Sequence, residues 1–382
     1  MSDASSWWIG SHHENDAEGF FEVLSPTAGI LDATYLPEQH WIYRGHGRSD
    51  YPLLPSAFRG GNKLLRDLRW YDTPCPKVGL QISAELETLY AFMLMIDRQG
   101  YRIPEDSQEL RAYLAGLRRS FGASSIELPF WPHLALFSLI ALAQHYGLPT
   151  RLLDWTSNPY VAAYFAASGA ATRRSVNNAN LCVWALLRTA VEYESPDVTD
   201  NAGLSRLPVR LIAAPAADNP NLRAQQGLFL GYQEHDVQLN EPFFPRPYDQ
   251  LVEDNLAFIP PDQLPRGVPF LFRLTLPTSE APELLRILSA HGINGSTIFP
   301  GLEGSVRAVL ERQHWPDVDQ WSAEAAVARM NERMRAARDR LLGGPGILDY
   351  RSWLPCALPG RGQPGSCLRP QCRASLRCGS WP

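Results

Sequence analysis

Two helix-boundary signals stand close together near the middle of the chain and limit how it can fold. A helix is predicted to end at Gly147, because glycine takes the left-handed conformation of a helix C-terminus and Pro149 cannot continue the helix. A new helix is predicted to begin at Asn158-Pro159, since Asn is a good N-terminal cap and Pro suits the first helical turn. The residues between these signals are predicted to form a short polar connection.

The spacing of apolar residues predicts the other elements. Helices are predicted over residues 18–24, 84–96, 132–146, 284–290 and 321–342. Strands are predicted over residues 41–43, 181–187, 227–230 and 270–276.

Length and composition indicate a globular protein. The chain has 382 residues, of which 45% are hydrophobic and 20% charged, enough for one large domain or two ordinary ones. The formal net charge of -5 gives no overall attraction to nucleic acid or anionic membranes. The first residues lack the segments of an export signal, and no stretch reaches the roughly 18 apolar residues of a membrane span. We therefore expect a cytoplasmic protein without a membrane partner.

The cysteines do not indicate a metal site. Four of the six fall near the C-terminus at spacings that match no zinc pattern: Cys356, Cys367, Cys372 and Cys378. Residues 346–382 are crowded with Pro, Gly and Arg and are expected to be a disordered tail. We expect free thiols and no bound metal.

Arg44 follows a short aromatic strand and precedes glycine. Gly45 and Gly47 allow the backbone to approach a neighbour closely. The guanidinium of Arg44 is a planar fork of donors that suits a phosphate or a carboxylate. The alternative is a buried arginine that pairs with an internal carboxylate and holds the fold together.

Polar residues crowd the start of the helix at Asn158. Some of Asp154, Thr156 and Ser157 are expected to cap this helix, whose first four N–H groups need partners. The same N-terminus could instead take a phosphate or carboxylate. His145, at the end of the preceding helix, is either a ligand-facing donor or a structural residue.

Two later segments are less specific. Gln225 and Gln226 precede a predicted strand and could bind the polar edge of a ligand or satisfy loop carbonyls. A predicted turn over residues 298–304 has Glu303 as its only carboxylate. The sequence contains no P-loop, dinucleotide-binding fingerprint or recognisable Ser-His-Asp set.

Taken together, these segments resemble the FRG domain family of bacteria and phages over about residues 35–310. Residues 1–34 would precede that domain, and residues 311–345 would form a helical extension after it. The main motifs are Tyr43-Arg44-Gly45, Pro55-Ser56-Ala57-Phe58-Arg59, the run from Gln144 to Thr156, and Asn158-Pro159 leading into Ala162-Ala163-Tyr164-Phe165-Ala166. The later motifs are Arg223-x-Gln225-x-Gly227-x-Phe229 and the run from Phe299 to Gly304.

The order of the segments is also similar to that of the ADP-ribosyltransferases. This more distant resemblance implies an α+β fold with a central mixed or antiparallel sheet, decorated with helices and followed here by a C-terminal helix. In that fold, Arg or His on the first strand holds NAD, a Ser-Thr-Ser-like strand precedes a helix, and a late Glu or Gln completes the site. The matching positions are Arg44, then Trp155-Thr156-Ser157 with Tyr164-Phe165-Ala166, and finally Gln225, Gln226 or Glu303.

The resemblance implies a role for each site residue. Arg44 would hold the pyrophosphate of NAD, Thr156 and Ser157 would position the ribose, and Tyr146 or Tyr164 would stack near the ring. Asp154 would orient Arg44 or Arg151. Gln225 or Glu303 would be the catalytic group. Tyr43, Gly45, His145 and Trp155 complete the expected NAD site.

The implied activity is transfer of ADP-ribose to a protein or nucleic acid, or hydrolysis of NAD. The setting would be conflict between bacteria and phages, as a toxin or a defence enzyme with a neutralising partner. The competing hypothesis is a binding module without turnover, in which Arg44 and Asp154 form a buried ion pair. The sequence leaves both open.

Overall fold

The computed structural model describes most of the first 315 residues. The described residues are 8–27, 31, 41–61, 64, 77–121, 128–172, 179–193, 207–212, 219–260 and 269–315, with four residues between 331 and 338. Residues 1–316 form one compact unit and residues 317–382 a second. The predicted helix over residues 321–342 lies almost entirely outside the described residues, and the predicted tail over 346–382 lies wholly outside them.

A seven-stranded mixed sheet is the centre of the first unit. Its strands are β1 (Ile9–His13), β2 (Trp41–His46), β4 (Leu152–Thr156), β5 (Asn180–Leu187), β6 (Val209–Ile212), β7 (Gly227–Tyr232) and β9 (Leu271–Pro277). They lie in the order β1-β9-β5-β2-β4-β7-β6, with β1 parallel to β9 and all other pairs antiparallel. β3 (Phe130–Trp131) and β8 (Glu234–His235) form a separate two-stranded sheet.

Helices lie around this sheet. They are α1 (Ala17–Val23), α2 (Val78–Arg98), α3 (Gln108–Phe121), α4 (Phe137–His145), α5 (Pro159–Ala171), α6 (Thr189–Glu192), α7 (Pro220–Ala224), α8 (Tyr248–Leu256), α9 (Ala281–Ala290), α10 (Gly295–Ile298) and α11 (Leu302–Glu311). The expected α+β architecture with a mixed sheet is therefore confirmed. None of the described helices has both the length and the apolar composition needed to cross a bilayer.

Both helix-boundary signals are confirmed. Gly147 follows α4 with a φ of +86°, and the side chain of Asn158 accepts hydrogen bonds from the N–H groups of Tyr160 and Val161 at the start of α5. α4 itself begins at Phe137, after a single 3₁₀ turn, and not at residue 132.

The connection predicted between these two helices is a strand. Residues 152–156 form β4, which lies between β2 and β7 in the interior of the sheet. Leu153 and Trp155 belong to the hydrophobic core that includes α5, whereas Leu152 belongs to the core built from α2, α3 and α4. The prediction of an irregular connection was wrong: Leu153-Asp154-Trp155-Thr156 alternates apolar and polar residues as a strand does, but the run is too short to be distinguished from a loop between two helix signals.

The segment over residues 298–304 is also more regular than predicted. Ile298 ends α10, and Leu302 begins α11, so only residues 299–301 form the turn. Glu303 therefore lies in the first turn of a helix.

Candidate functional site

Arg44 is held in one orientation by two hydrogen bonds. Its Nε donates to Nε2 of His46 at 3.0 Å, and its Nη1 donates to the main-chain oxygen of Asp154 on the neighbouring strand β4 at 2.5 Å. The side chain is 13% exposed. The guanidinium has further N–H groups beyond these two, and the side chain of Asp154 lies beside them.

No buried carboxylate neutralises Arg44 in the described part of the chain. The nearest carboxylate oxygen is Oδ2 of Asp154, 3.6 Å from Nη1, and the side chain of Asp154 is 65% exposed. Burial lowers the pKa of the Arg44 guanidinium, and the nearby Asp154 carboxylate opposes that shift. The expected Arg44–Asp154 ion pair is present, but only the guanidinium is buried, because the carboxylate is open to solvent.

Arg151 and Glu85 form an ion pair in which both side chains are buried. Nε of Arg151 lies 2.7 Å from Oε2 of Glu85, and the two side chains are 2% and 8% exposed. The indole N–H of Trp131 donates to the same carboxylate oxygen, and Arg151 also donates to the main-chain oxygen of Tyr232. Asp154 thus contacts Arg44, whereas Arg151 pairs with a carboxylate that is itself buried.

His46 is the site residue that sequence reasoning missed. Its Nε2 accepts from Arg44, so the ring is neutral and carries its proton on Nδ1. Burial, and then the positive charges of Arg44 and Arg59, lower the pKa of His46 to about 3. Nδ1 is buried and has no hydrogen-bond partner among the described residues. The available signal was the i, i+2 spacing from Arg44 on one strand, which places both side chains on the same face.

The end of α4 supplies the other side of the site. Nε2 of Gln144 donates to Oδ1 of Asp154 at 2.6 Å, and Oε1 of Gln144 accepts from the hydroxyl of Thr150. His145 is half-buried beside them; burial lowers its pKa, and the Asp154 carboxylate opposes that shift. A fixed cation and an oriented carboxylate therefore lie side by side where α4, β2 and β4 meet.

Residues 39–175 match the family model of the FRG domain. The chain contains an FRG domain. The match confirms the resemblance to the FRG domain, over residues 39–175 of the expected 35–310. The matched residues include Arg44, His46, Gln144 and Asp154. No curated protein and no solved structure matches the chain.

Within the FRG domain, Thr156 and Ser157 connect the start of α5 to the turn before β7. The hydroxyl of Thr156 donates to the main-chain oxygen of Gln225 at 2.7 Å and accepts from the N–H of Asn158 at 3.0 Å. The hydroxyl of Ser157 donates to Oε1 of Gln226 at 3.2 Å. Both hydroxyls thus already have partners within the protein.

The two late candidates lie outside the matched FRG range and do not contact Arg44. The side-chain amide of Gln225 donates to the main-chain oxygen of Ile298 at 3.3 Å. Glu303 is 87% exposed, and its ion pair is with Arg307 on the same helix, at 3.5 Å. Among the described residues, neither side chain has a hydrogen bond or ion pair that joins it to the Arg44 group.

The aromatic candidates divide into core and surface residues. Tyr43, Trp155 and Tyr164 are buried in the hydrophobic core, and burial raises the pKa of Tyr43. The hydroxyl of Tyr164 donates to Glu311, which belongs to α11. Tyr146 is exposed next to His145, with ring centroids 5.0 Å apart, so it is the one of these four that could stack on a ligand without repacking of the core.

Gly45 provides close approach to a helix. A Cβ atom at this position would lie 1.9 Å from the main-chain oxygen of Ala162 and 2.7 Å from the main-chain nitrogen of Ala166, both in α5. Gly47 meets the backbone of Gly169 in the same way. Gly45 and Gly47, which follow Arg44, therefore let α5 pack directly on β2. Arg44 points to the opposite face of the sheet.

The described residues contain no group of three or more His, Cys, Asp or Glu side chains placed to hold a metal ion. Cys182, on β5, is a buried free thiol. The other five cysteines lie outside the described residues.

Proposed function

We propose that the FRG domain of this chain binds a phosphate-bearing ligand through Arg44, and that this ligand is NAD. One observation carries the proposal: a largely buried guanidinium has its fork held in place while its nearest carboxylate is 3.6 Å away and open to solvent. A buried cation whose counter-charge is a solvent-exposed carboxylate is only partly compensated. A phosphate that accepts two parallel hydrogen bonds from the fork would remove that cost.

The identity of the ligand and the reaction rest on the resemblance to ADP-ribosyltransferases. In the proposed reaction the bond between C1′ of the ribose and the nicotinamide nitrogen breaks, and nicotinamide leaves with the electron pair. A nucleophile of a protein or nucleic acid, or water, then bonds to C1′ and loses a proton. The cell biology proposed from the same resemblance is conflict between bacteria and phages, with a neutralising partner.

A second candidate function is ligand binding without turnover. The observation that favours it is the placement of the late candidates, since Gln225 bonds to Ile298 and Glu303 pairs with Arg307, and neither contacts Arg44. The two functions share the same anion site and differ in whether nicotinamide is released.

The test compares wild type with Arg44→Lys, which keeps the charge but loses the planar fork. Calorimetry should show that wild type binds NAD and that the variant binds it at least about tenfold more weakly, since one charge-assisted hydrogen bond is lost. Arg188→Lys, at an exposed i, i+4 pair with Glu192, is the matched control and should bind like wild type. Absence of NAD binding by the folded wild type would refute the proposal.

Turnover is measured separately, as nicotinamide released from NAD with and without cell lysate. Release that disappears in Arg44→Lys supports the transferase or glycohydrolase. Binding without any release supports the second candidate.

A further inference from the structure

We propose that the carboxylate of Asp154 is a ligand-binding group that accepts a hydrogen bond from a hydroxyl of the ligand. The site would then select a phosphate that carries a hydroxyl donor nearby, the combination found in a ribose phosphate. This inference rests on the proposed function, because the phosphate is the group held by Arg44.

The main chain of Asp154 makes the shorter contact with Arg44. The main-chain oxygen accepts from Nη1 of Arg44 at 2.5 Å, whereas Oδ2 lies 3.6 Å from the same nitrogen, at ion-pair distance. The main-chain contact and the bond from Nε of Arg44 to His46 would remain if the carboxylate lost its charge. The arginine therefore keeps two contacts that do not depend on the carboxylate.

The carboxylate is nevertheless oriented by a chain of hydrogen bonds. Gln144 donates to Oδ1 of Asp154 at 2.6 Å and accepts from the hydroxyl of Thr150, whose N–H donates to the hydroxyl of Ser56 at 3.0 Å. These partners are neutral, so they fix the direction of the carboxylate without cancelling its charge. An exposed carboxylate that served solubility alone would need no such anchoring.

The pair of groups has a chemical consequence for the ligand. A purely anionic ligand would be attracted by Arg44 and repelled by Asp154. A ligand with a hydroxyl beside its phosphate satisfies both, since the phosphate takes the fork and the hydroxyl donates to Oδ2. The class of ligand is therefore a sugar phosphate or nucleotide, and not an inorganic phosphate.

The experiment is a titration of the Asp154→Asn variant with two probes, ADP-ribose and inorganic pyrophosphate. Asn can still accept from Gln144 but carries no charge, so the fold is retained. We expect affinity for ADP-ribose to fall about tenfold, because a charge-assisted hydrogen bond is lost. Affinity for pyrophosphate should be unchanged or higher, because a repulsive charge is removed. Changes of the same sign and size for the two probes would overturn the inference.

Two further variants complete the test. Asp236→Asn removes the same charge at an exposed position and should leave both affinities unchanged. Gln144→Leu removes the group that orients Asp154. It should lower the affinity for ADP-ribose and leave the affinity for pyrophosphate unchanged. If Arg44→Lys lowers the affinity for both probes but Asp154→Asn changes the two affinities equally, only this inference fails. If the wild type binds neither probe, the proposed function fails as well.

Discussion

Arg44 and His46 form one unit on β2: the Nε–H of the arginine donates to Nε2 of the histidine at 3.0 Å. The contact requires a neutral ring, and burial together with the charges of Arg44 and Arg59 provides one by lowering the pKa of His46 to about 3. The remaining ring proton, on Nδ1, is buried without a partner in the described part of the chain. An unsatisfied buried donor costs about 1–3 kcal/mol, so this nitrogen lowers the stability of the fold.

His46→Phe should weaken NAD binding, because Arg44 loses one of the two contacts that orient its fork. We expect a loss of about tenfold by calorimetry, corresponding to one hydrogen bond to a charged group. His46→Gln keeps an acceptor at a similar distance along the side chain and should restore most of the affinity. Equal affinities for the two variants would show that His46 does not position Arg44.

The depressed pKa of His46 also predicts how stability changes with pH. Between pH about 3 and about 6.5 the unfolded chain binds a proton at this histidine that the folded chain does not bind. The free energy of unfolding should therefore rise as the pH increases across that window and level off above it. Urea unfolding at several pH values should show a smaller rise for His46→Gln than for wild type. Parallel curves would contradict the prediction.

Arg151 and Asp154, three residues apart, should respond very differently to substitution. Arg151→Met leaves the carboxylate of Glu85 buried and unpaired, and we expect a loss of about 3–5 kcal/mol in the free energy of unfolding. Asp154→Asn removes an exposed charge and should cost less than about 1 kcal/mol. Urea denaturation measures both. Similar losses would mean that the two ion pairs do not differ in structural role.

Gly45→Ala tests the contact between β2 and α5. The new methyl group would lie 1.9 Å from the main-chain oxygen of Ala162, so the helix has to move, at a cost of about 1–3 kcal/mol or more. Gly60→Ala is the matched control, because nothing lies within 4 Å of a Cβ at that position. Thermal unfolding should show a clear fall in Tm for the first variant and little change for the second. Comparable Tm values for the two variants would mean that α5 does not need a glycine on β2.

The order of motifs along the chain predicts a late carboxylate or amide at the site, at Gln225 or Glu303, after the strand and helix that follow Arg44. The side-chain contacts of these two residues are instead with Ile298 and Arg307. Among the described residues, the carboxylate that pairs with Arg44 belongs to Asp154, just before the helix cap at Asn158.

The sequence by itself determined the local features of this protein. Gly147 and Asn158-Pro159 set helix ends, because capping depends on residues within one turn. The apolar runs over residues 41–43, 181–187 and 270–276 predict β2, β5 and β9, with β9 displaced by one residue to Leu271–Pro277. The match to the FRG domain can also be found from the sequence, since each of its motifs is a short run of neighbouring residues.

Only the tertiary structure decided which charges meet. Arg44 and Asp154 are 110 positions apart, and Arg151 and Glu85 are 66 apart, so no local pattern distinguishes a solvent-exposed partner from a buried one. Asp154 and Arg151 also lie close together in the sequence. From the sequence alone, Asp154 could have paired with Arg151 instead of Arg44, and Arg151 with Asp154 instead of Glu85. The position of β4 beside β2 places Asp154 next to Arg44, and Arg151, just before β4, lies against Glu85 of α2. Burial and distance in the folded state then determine the strength of each pair.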